Sequence, residues 1–365
     1  MAKAHIIGVS GVAMSATAKL LMDAGWSITG SDAACYPPAS TYVEKLGFPF
    51  FTSYSPNNIP KDVDLVIIGR NAQLTPETNE EVQRAYEMDV PIQSFPEILA
   101  EILADKHRVI IAGSYGKSTV TGILSFILLH AKKDPSYFIG AYPIDMEYTS
   151  KKGDGEMAVI EGDEYPTAHW DESSKFLHLN ADDVILTSVE HDHVNVFPTY
   201  AEYVAPFKKL LDDLPQEGLV VACTDNKGVS DMLAVAPQYI TYGLNTDALW
   251  RAENISYGAI TTFTLSHDGK PVVTLHTKLL GAHNVQNIVG AAAYALTREL
   301  VTPKELQSAV SAFSGIKRRL NKITETSSVS AYEGFGSSYE KARAAIDAIR
   351  LHYPEKNMVV LFEPH

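Results

Sequence analysis

The segment Val109-Ile-Ile-Ala-Gly-Ser-Tyr-Gly-Lys-Ser-Thr119 decides the fold, because an apolar strand leads through a glycine-rich turn into a helical pattern that runs to Ala131. Glycines in such a turn let backbone N–H groups close around phosphate oxygens, and the helix N-terminus adds partial positive charge. Lys117 can reach the outer phosphates, and the Ser118 hydroxyl can ligate Mg²⁺. The turn is shorter than the full Walker pattern, since Ile111 stands where that pattern has its first glycine. The segment predicts a nucleotide site on a parallel sheet; the alternative is a tight turn with a surface lysine.

Strand and helix patterns alternate on both sides of this turn. Before it, β-rich runs at Ile6–Ile7, Ser27–Thr29 and Leu65–Ile68 surround a helical stretch from Met14 to Ala24. After it come further short strands, an antiparallel pattern and an alanine-rich helix, at Met157–Ile160, Val184–Leu186, Leu219–Ala222, Ile255–Leu280 and Asn284–Leu300. Such alternation is typical of parallel sheets with crossover helices, so we expect an α/β protein.

Changes in polarity divide the chain into three units. Polarity rises near residues 104–107 and again at Lys317-Arg-Arg319, after which a strand at Val329–Tyr332, a helix at Tyr339–His352 and a strand at Met358–Leu361 are expected. We therefore predict a Rossmann-like N-terminal domain over residues 1–105, a central P-loop ATPase-like α/β domain over 106–314, and a Rossmann-like C-terminal domain over 315–365. One β-α-β unit of about fifty residues cannot readily enclose a core, so the third domain is expected to be incomplete.

Composition narrows the classes of partner. The 365 residues include 30 Lys and Arg against 44 Asp and Glu, a formal net charge of −14. An acidic surface repels phosphate backbones and anionic lipids, so neither nucleic acid nor a membrane is an expected partner. The two cysteines, Cys35 and Cys223, indicate neither a disulfide framework nor a thiolate metal site. Since no secretory signal is evident at the start, we expect a cytoplasmic protein. We also expect a monomer or weak homodimer.

A second strand-to-helix turn lies at residues 8–14. Gly8, Gly11 and Asp32 fit the dinucleotide-binding pattern, but Ser10 stands where its second glycine belongs. The turn can therefore be purely structural or a ligand loop. If it binds an anion, a diphosphate at the helix N-terminus is expected.

Acidic clusters follow two of the expected strands. Glu161-Gly-Asp-Glu164 follows one strand, and Glu190-His-Asp-His193 follows the next. Carboxyl ends of parallel strands meet at one edge of a sheet, where ligands bind in open α/β folds. Carboxylates and an imidazole beside a phosphate loop suit Mg²⁺ bridging a nucleotide better than they suit zinc. The alternative is a solvated acidic rim.

Five motifs, in order along nearly the whole chain, resemble the Mur ligases of peptidoglycan synthesis, in their muramate-recognising branch. The turn at residues 113–118 resembles the short ATP loop of that family, usually Gly-Thr-His-Gly-Lys-Thr. The other four resemble its Glu-Ala-Asp-Glu, Glu-x-Asp-His and Gly-x-His-Asn-x-x-Asn motifs and its basic stretch before the third domain, at residues 161–164, 190–193, 281–287 and 315–320. Two further stretches, Gly30–Thr41 and Asp163–Phe176, are similar to the branch that recycles cell-wall peptide.

The resemblance implies an ATP- and Mg²⁺-dependent ligase. It would join the muramoyl carboxylate of UDP-N-acetylmuramate to the amine of the peptide L-Ala-γ-D-Glu-meso-diaminopimelate through an acyl phosphate, with L-alanine as the alternative amine. Lys117, Glu161 and His193 would be catalytic, with Ser118, Glu161 and His193 as metal ligands. The resemblance assigns ATP binding to Gly113, Ser114, Tyr115, Gly116, Lys117, Ser118, Thr119, His283, Asn284, Asn287 and Arg319, and UDP-sugar binding to Gly8, Ser10, Gly11 and Asp32.

Some positions depart from the family pattern. The family commonly has Asn at Ser188 and an acidic residue at Asn195, and residues 333–338 replace a typical Asp-Asp-Tyr-Gly-His-His. Lys208 lies fifteen residues after His193, near the place of a carboxylated lysine in other Mur ligases, but a Lys-Lys pair on a helix is usually a solvated face. Two other functions are considered: a nicotinamide-dependent oxidoreductase that uses the Gly8 loop, and a non-catalytic sensor of UDP-sugar and nucleotide.

Overall fold

The N-terminal unit is a parallel sheet with helices on both faces. The protein is described by a computed structural model that covers residues 1–244, 247–324, 326–336 and 339–362. The strands are β1 (Lys3–Ile7), β2 (Ser27–Ser31), β3 (Phe50–Phe51), β4 (Leu65–Ile68) and β5 (Ile92–Gln93), and the helices α1 (Val12–Asp23), α2 (Ala39–Leu46), α3 (Glu80–Glu87) and α4 (Phe95–Ile102). The strand order is β3-β2-β1-β4-β5, all parallel, which is the doubly wound Rossmann order without its sixth strand. Strand β4 is apolar and buried throughout, and residues 4–7 of β1 are buried, because helices cover both faces.

The central unit is built on a larger mixed sheet. Its strands are β6 (His107–Ala112), β7 (Ser136–Phe138), β8 (Ser150–Lys151), β9 (Met157–Glu161), β10 (Asp183–Leu186), β11 (Leu219–Cys223), β12 (Gln238–Gly243), β13 (Trp250–Ser256), β14 (Thr261–His267) and β15 (Lys270–Thr277). Its helices are α5 (Lys117–His130), α6 (Tyr200–Asp212), α7 (Lys227–Ser230), α8 (Ala282–Thr297) and α9 (Pro303–Ala312).

The strand order places the phosphate loop between the two acidic clusters. The order is β15-β14-β13-β12-β11-β10-β6-β9-β7-β8, with β6 parallel to both β10 and β9. The loop after β6 therefore lies between the segments that follow β9 and β10. The antiparallel pattern predicted for residues 255–280 corresponds to the hairpins of β13, β14 and β15. The predicted α/β class is confirmed.

The first two units share a hydrophobic core. Leu20 of α1 and Leu99 of α4 pack in one buried cluster with Phe138 and Phe176 of the central unit. The rings of Phe95 and Phe138 stack with their centroids 5.7 Å apart. Helices α1 and α4 therefore pack against one face of the central sheet. We propose the domain boundary near residue 105, where the chain passes from α4 to β6.

The C-terminal unit begins with an antiparallel pair, β16 (Arg319–Lys322) and β17 (Tyr332–Gly334), and continues into α10 (Tyr339–His352). His352, at the end of α10, joins this helix to the central unit by two hydrogen bonds. Its Nε2 accepts a hydrogen bond from the backbone N–H of Gly281 at 3.0 Å, and its Nδ1 lies 2.7 Å from the Gly258 carbonyl. These two bonds require the neutral imidazole with its proton on Nδ1.

Two strand predictions at the C-terminal end need correction. The strand predicted at Val329–Tyr332 forms three residues later, at 332–334. The strand predicted at Met358–Leu361 is wrong, since these residues form no strand. Leu361 is 95% exposed, and a β-strand needs a neighbouring backbone to bond, which the described residues do not provide there. No helix in the described part of the chain is long and apolar enough to cross a bilayer.

Candidate active site

The backbone of the phosphate loop requires its glycines. Gly116, directly before α5, has φ +85°, and a Cβ there would lie 2.6 Å from Oδ1 of Asn287. Gly113 has φ +140°, and a Cβ there would lie 2.8 Å from the backbone N and O of Ser188. Any larger residue at either position would be strained and would collide with a neighbouring element. At these two glycines the loop therefore leaves its backbone uncovered by side chains, directly before the largely buried helix α5.

The segment after β10 fixes the shape of this loop. Ser188 Oγ accepts a hydrogen bond from the Tyr115 N–H at 2.9 Å, and Thr187 Oγ1 donates to the Tyr115 carbonyl at 2.6 Å. Ser114 Oγ donates to the Glu190 carbonyl at 2.8 Å. Ser188, which departs from the family pattern, therefore supports the loop through its hydroxyl.

Lys117 is buried at the base of the loop. Its Nζ donates to the Gly113 carbonyl at 2.5 Å and lies 2.8 Å from Oε2 of Glu164. Burial opposes the charge of Lys117, but the carboxylates of Glu164 and Asp163 outweigh that effect and raise the pKa of the ammonium. The side chain is therefore a permanent cation facing the loop.

Glu161 stands at the end of β9, next to the first residues of α5. Ser118 Oγ donates to its Oε1 at 2.7 Å, and the Gly140 N–H donates to its Oε2 at 2.6 Å. Burial raises the pKa of Glu161, although both donors favour the charged form. A divalent cation beside this carboxylate would supply the charge that burial withholds.

Glu164 joins Lys117 to the second acidic cluster. Its carboxyl group is fully buried, and its Oε1 lies 3.5 Å from Nε2 of His193 and accepts a hydrogen bond from the Tyr203 hydroxyl at 3.4 Å. The hydrogen bond to Glu164 raises the pKa of His193 despite partial burial. Glu164 was not among the predicted site residues, although it belongs to the acidic motif that contains Glu161; that motif was the available signal.

Lys117, Ser118, Glu161 and His193 line one cavity of about 650 Å³, whereas Glu164 is not among its lining residues. Of the residues predicted to bind ATP, all but Gly113 lie on its wall. The C-terminal unit contributes Arg319, whose guanidinium carbon lies 5.4 Å from the ring centroid of Phe335. The residues that line the cavity come from the central and C-terminal units and are Ser114, Tyr115, Gly116, Lys117, Ser118, Thr119, Glu161, Thr187, Ser188, Glu190, Asp192, His193, Asp225, Asn226, His283, Asn284, Gln286, Asn287, Arg319, Leu320, Gly334, Phe335, Lys341, Ala344 and Ala345.

Helix α8 presents its first turn to the cavity. Asn284 Nδ2 donates to the Leu280 carbonyl at 2.8 Å, and Asn287 Nδ2 donates to Asn284 Oδ1 at 3.3 Å. Burial lowers the pKa of His283 to about 4, so this imidazole is neutral at physiological pH. His283 can therefore hydrogen-bond a base or sugar but cannot neutralise a phosphate.

The donor set suits Mg²⁺ held jointly with a nucleotide. Among the described residues, no group of three or more His, Cys, Asp or Glu side chains forms a metal site by itself. Mg²⁺ commonly takes one or two protein oxygens together with substrate phosphates and waters, and Ser118 with Glu161 offers that pair. His193 contacts Glu164, so the metal site shared by Glu161 and His193 stays a prediction.

The loop predicted to bind the UDP-sugar lies apart from this cavity. Gly8 has φ +82°, and its N–H donates to the Ser31 carbonyl at 2.8 Å. Asp32 accepts hydrogen bonds from the Ser10 N–H at 3.0 Å, from the Ser10 hydroxyl, and from the Tyr54 hydroxyl at 3.1 Å. Gly11 directly precedes α1. The Ser10 hydroxyl therefore adds a bond to Asp32 that a glycine could not make, whereas the backbone N–H bond is open to either residue.

Three further residues singled out in the sequence are Lys208, Ser337 and Ser338. Lys208 lies on the exposed face of α6. Ser337 and Ser338, part of the segment that replaces Asp-Asp-Tyr-Gly-His-His, lie outside the described residues.

The fold and the cavity define a nucleotide-dependent α/β enzyme whose phosphate loop follows a central parallel strand. The model for "Mur ligase family, catalytic domain" matches residues 3–107, and that for "Mur ligase middle domain" matches residues 111–295. The chain belongs to the Mur ligase family, whose members are ATP-dependent ligases that form amide bonds.

Individual relatives fall into two groups. The chain is 30% identical over 367 residues to the UDP-N-acetylmuramate–L-alanine ligase of Pelobacter propionicus, covering 100% of this chain and 77% of that protein. It is 29% identical over 347 residues to the UDP-N-acetylmuramate–L-alanyl-gamma-D-glutamyl-meso-2,6-diaminoheptandioate ligase of Haemophilus influenzae, covering 95% and 76%. A crystal structure of the UDP-N-acetylmuramate:L-alanyl-gamma-D-glutamyl-meso-diaminopimelate ligase from Neisseria meningitides matches with a TM-score of 0.78 and 28% identity, over 87% of this chain and 100% of that one.

Proposed function

We propose that this protein joins the muramoyl carboxylate of UDP-N-acetylmuramate to the amine of L-Ala-γ-D-Glu-meso-diaminopimelate at the expense of ATP, with Mg²⁺, in peptidoglycan recycling. The observation that carries the proposal is the convergence of Lys117, Ser118 and Glu161 in one cavity beside the phosphate loop. The Haemophilus and Neisseria relatives are ligases of this kind.

The chemistry needs activation of a carboxylate, which is otherwise a poor electrophile. Its oxygen attacks the γ-phosphorus of ATP and the bond from that phosphorus to the β–γ bridging oxygen breaks. ADP is the leaving group, and the carboxylate becomes an acyl phosphate. The amine then attacks the acyl carbon and loses a proton, and phosphate is expelled. The protein contributes charge and position, because phosphoryl transfer depends mainly on electrostatic stabilisation.

Each residue has a defined part in this scheme. Lys117 and the amides of the loop hold the phosphates, and Arg319 meets them from the C-terminal unit. Ser118 and Glu161 would hold Mg²⁺, which when bound screens repulsion between the phosphates and the attacking carboxylate. His283, neutral in this environment, would face the base or sugar with Asn284 and Asn287.

The Gly8–Asp32 region is proposed to hold the UDP-sugar. Its turn leads into α1, so backbone amides at the helix start can meet a diphosphate. Membership of the ligase family favours amide-bond formation over the nicotinamide-dependent oxidoreductase and the non-catalytic sensor considered from the sequence.

L-alanine is the second candidate for the amine. Several relatives, including those of Pelobacter propionicus and Desulfatibacillum aliphaticivorans, are UDP-N-acetylmuramate–L-alanine ligases. The stretches Gly30–Thr41 and Asp163–Phe176 resemble the recycling branch, and this supports the tripeptide.

The test is phosphate release with ATP, Mg²⁺ and UDP-N-acetylmuramate, comparing L-alanine, the tripeptide and the tetrapeptide as amines. We expect the highest kcat/KM with the tripeptide. A preference for L-alanine would overturn the recycling role but would still support ligase activity. Lys117→Ala should abolish turnover, whereas Lys227→Ala, at a side chain 86% exposed, should not change it. Turnover retained in Lys117→Ala would overturn the site.

A further inference from the structure

One face of helix α10 forms part of the wall of the catalytic cavity. Lys341, Ala344 and Ala345 all line it, and their i, i+3, i+4 spacing places them on the same side of the helix. The two alanines are small, so the helix backbone can lie close to a bound ligand. Lys341 is the charged side chain among these three, in the first turn of α10.

The Lys341 ammonium lies between two loops of the central unit. Its Nζ is 5.3 Å from the ring centroid of Tyr115, within the phosphate loop, and 3.4 Å from Oδ2 of Asp192. Asp192 directly precedes His193. Ser188 and Thr187 hold the backbone N–H and carbonyl of Tyr115, which fixes the point in the loop from which its ring extends. Lys341 thus connects the C-terminal unit to both sides of the cavity.

Only three of the charged groups on the cavity wall, in the described part of the chain, are cations. Among the described residues that line it, the carboxylates are Glu161, Glu190, Asp192 and Asp225, and the cations are Lys117, Arg319 and Lys341. The charge of Lys117 is already matched by Glu164 at 2.8 Å. A triphosphate that enters therefore depends on Arg319 and Lys341 for cations on the C-terminal side.

The contact of Lys341 with Asp192 is easily exchanged. Both side chains remain about one quarter exposed, and their 3.4 Å separation is long for an ion pair. Partly exposed pairs of this kind contribute little to stability. Phosphate oxygens can therefore replace the Asp192 carboxylate as the partner of the ammonium at small cost.

We propose that Lys341 is a nucleotide-binding residue supplied by the C-terminal unit, and that its ammonium exchanges the Asp192 carboxylate for the phosphate chain of the bound nucleoside triphosphate. This inference rests on the proposed function, because it requires ATP in the cavity. Lys341 would then join the C-terminal unit to the central unit through the bound nucleotide.

The experiment measures binding of a non-hydrolysable ATP analogue with Mg²⁺ by calorimetry, in the wild type and in Lys341→Ala, Lys341→Gln and Lys341→Arg. Arg343→Ala is the matched control, since it removes one positive charge from the same helix at a side chain 66% exposed. We expect the Kd to rise about tenfold in Lys341→Ala and Lys341→Gln, as for a lost charge-assisted contact. Lys341→Arg and Arg343→Ala should stay within about twofold of the wild type, and the Kd for UDP-N-acetylmuramate should not change.

Equal analogue affinity in Lys341→Gln and Arg343→Ala would overturn the inference while leaving the proposed function intact. Equal loss of analogue and UDP-N-acetylmuramate binding in both neutral variants would also overturn it, because it would indicate a structural role. Failure of the wild type itself to bind the analogue would overturn the proposed function.

Discussion

Oε2 of Glu164 lies 2.8 Å from Nζ of Lys117, while the other oxygen of the same carboxyl group lies 3.5 Å from Nε2 of His193. One buried carboxylate thus connects the phosphate loop to the acidic cluster that follows the neighbouring strand. Its position explains how a lysine buried inside the protein retains its charge.

Glu164→Gln is expected to impair both stability and turnover. The amide keeps the size of the side chain but leaves the buried Lys117 ammonium without its partner, which typically costs about 3 to 5 kcal/mol. Urea unfolding should show a loss of this order, and phosphate release should fall at least tenfold, about 1.4 kcal/mol in the barrier. Glu172→Gln, at a carboxylate 72% exposed, is the control and should change neither. Wild-type stability in Glu164→Gln would contradict the pairing.

Glu161→Gln is expected to raise the Mg²⁺ concentration needed for half-maximal turnover. The substitution removes the charge that Ser118 and Gly140 hold beside the phosphate loop, and Mg²⁺ prefers charged oxygen ligands. A Mg²⁺ titration of phosphate release checks this. We also expect a raised Mg²⁺ requirement in His193→Ala. Unchanged Mg²⁺ dependence in both variants would remove these residues from the metal site.

Gly116→Ala is expected to abolish nucleotide binding. It combines a positive φ with a Cβ placed 2.6 Å from Oδ1 of Asn287. Gly25→Ala is a matched control, because Gly25 also has φ +85° but has open space around its Cβ. Both variants should lose about 1 to 2 kcal/mol from backbone strain, and only Gly116→Ala should lose binding of the ATP analogue. Normal binding in Gly116→Ala would show that the loop tolerates the change.

The protein is expected to lose stability in acid when Asp183, at the start of β10, becomes protonated. Asp183 accepts hydrogen bonds from Tyr294 and Arg298 at 2.9 Å each, and His107 Nε2 lies 2.7 Å away. Burial opposes ionisation, but these partners outweigh it and lower the pKa of Asp183 to about 2. A lowered carboxyl pKa stabilises the fold above the ordinary value of 3.8, and this contribution, about 2 kcal/mol, is lost as pH falls from 4 toward 2.

Urea unfolding of the wild type and Asp183→Asn across pH 2 to 9 checks this. The difference in unfolding free energy should be largest between the ordinary carboxyl value of 3.8 and the ordinary histidine value of 6.5, and should shrink as pH falls below 3.8. The pKa of His107 is raised by its bond to Asp183, so a smaller part of the difference should decline as pH rises above the ordinary histidine value of 6.5. A difference independent of pH between 2 and 5 would contradict the role of the carboxylate.

Local patterns predicted most of the fold. The strands at Leu65–Ile68 and Val109–Ala112 are apolar runs typical of buried parallel strands. Helix α5 begins directly after the glycine turn, where its first N–H groups have no partner within the helix. The pattern at Met358–Leu361 looks the same, yet it forms no strand in the described chain. An apolar run indicates that a segment can form a strand. The strand forms only if another strand lies beside it to accept and donate the backbone hydrogen bonds.

The sequence by itself determined the phosphate loop, the acidic residues after β9 and β10, and the family, because these depend on residue types at short spacings. Tertiary structure alone decided that Glu164 pairs with Lys117, that Ser188 supports Tyr115, and that Lys341 lies beside both Tyr115 and Asp192. These contacts join residues 47 to 226 positions apart in the printed sequence. The order of strands and the docking of α10 bring them together, and no local pattern encodes that order.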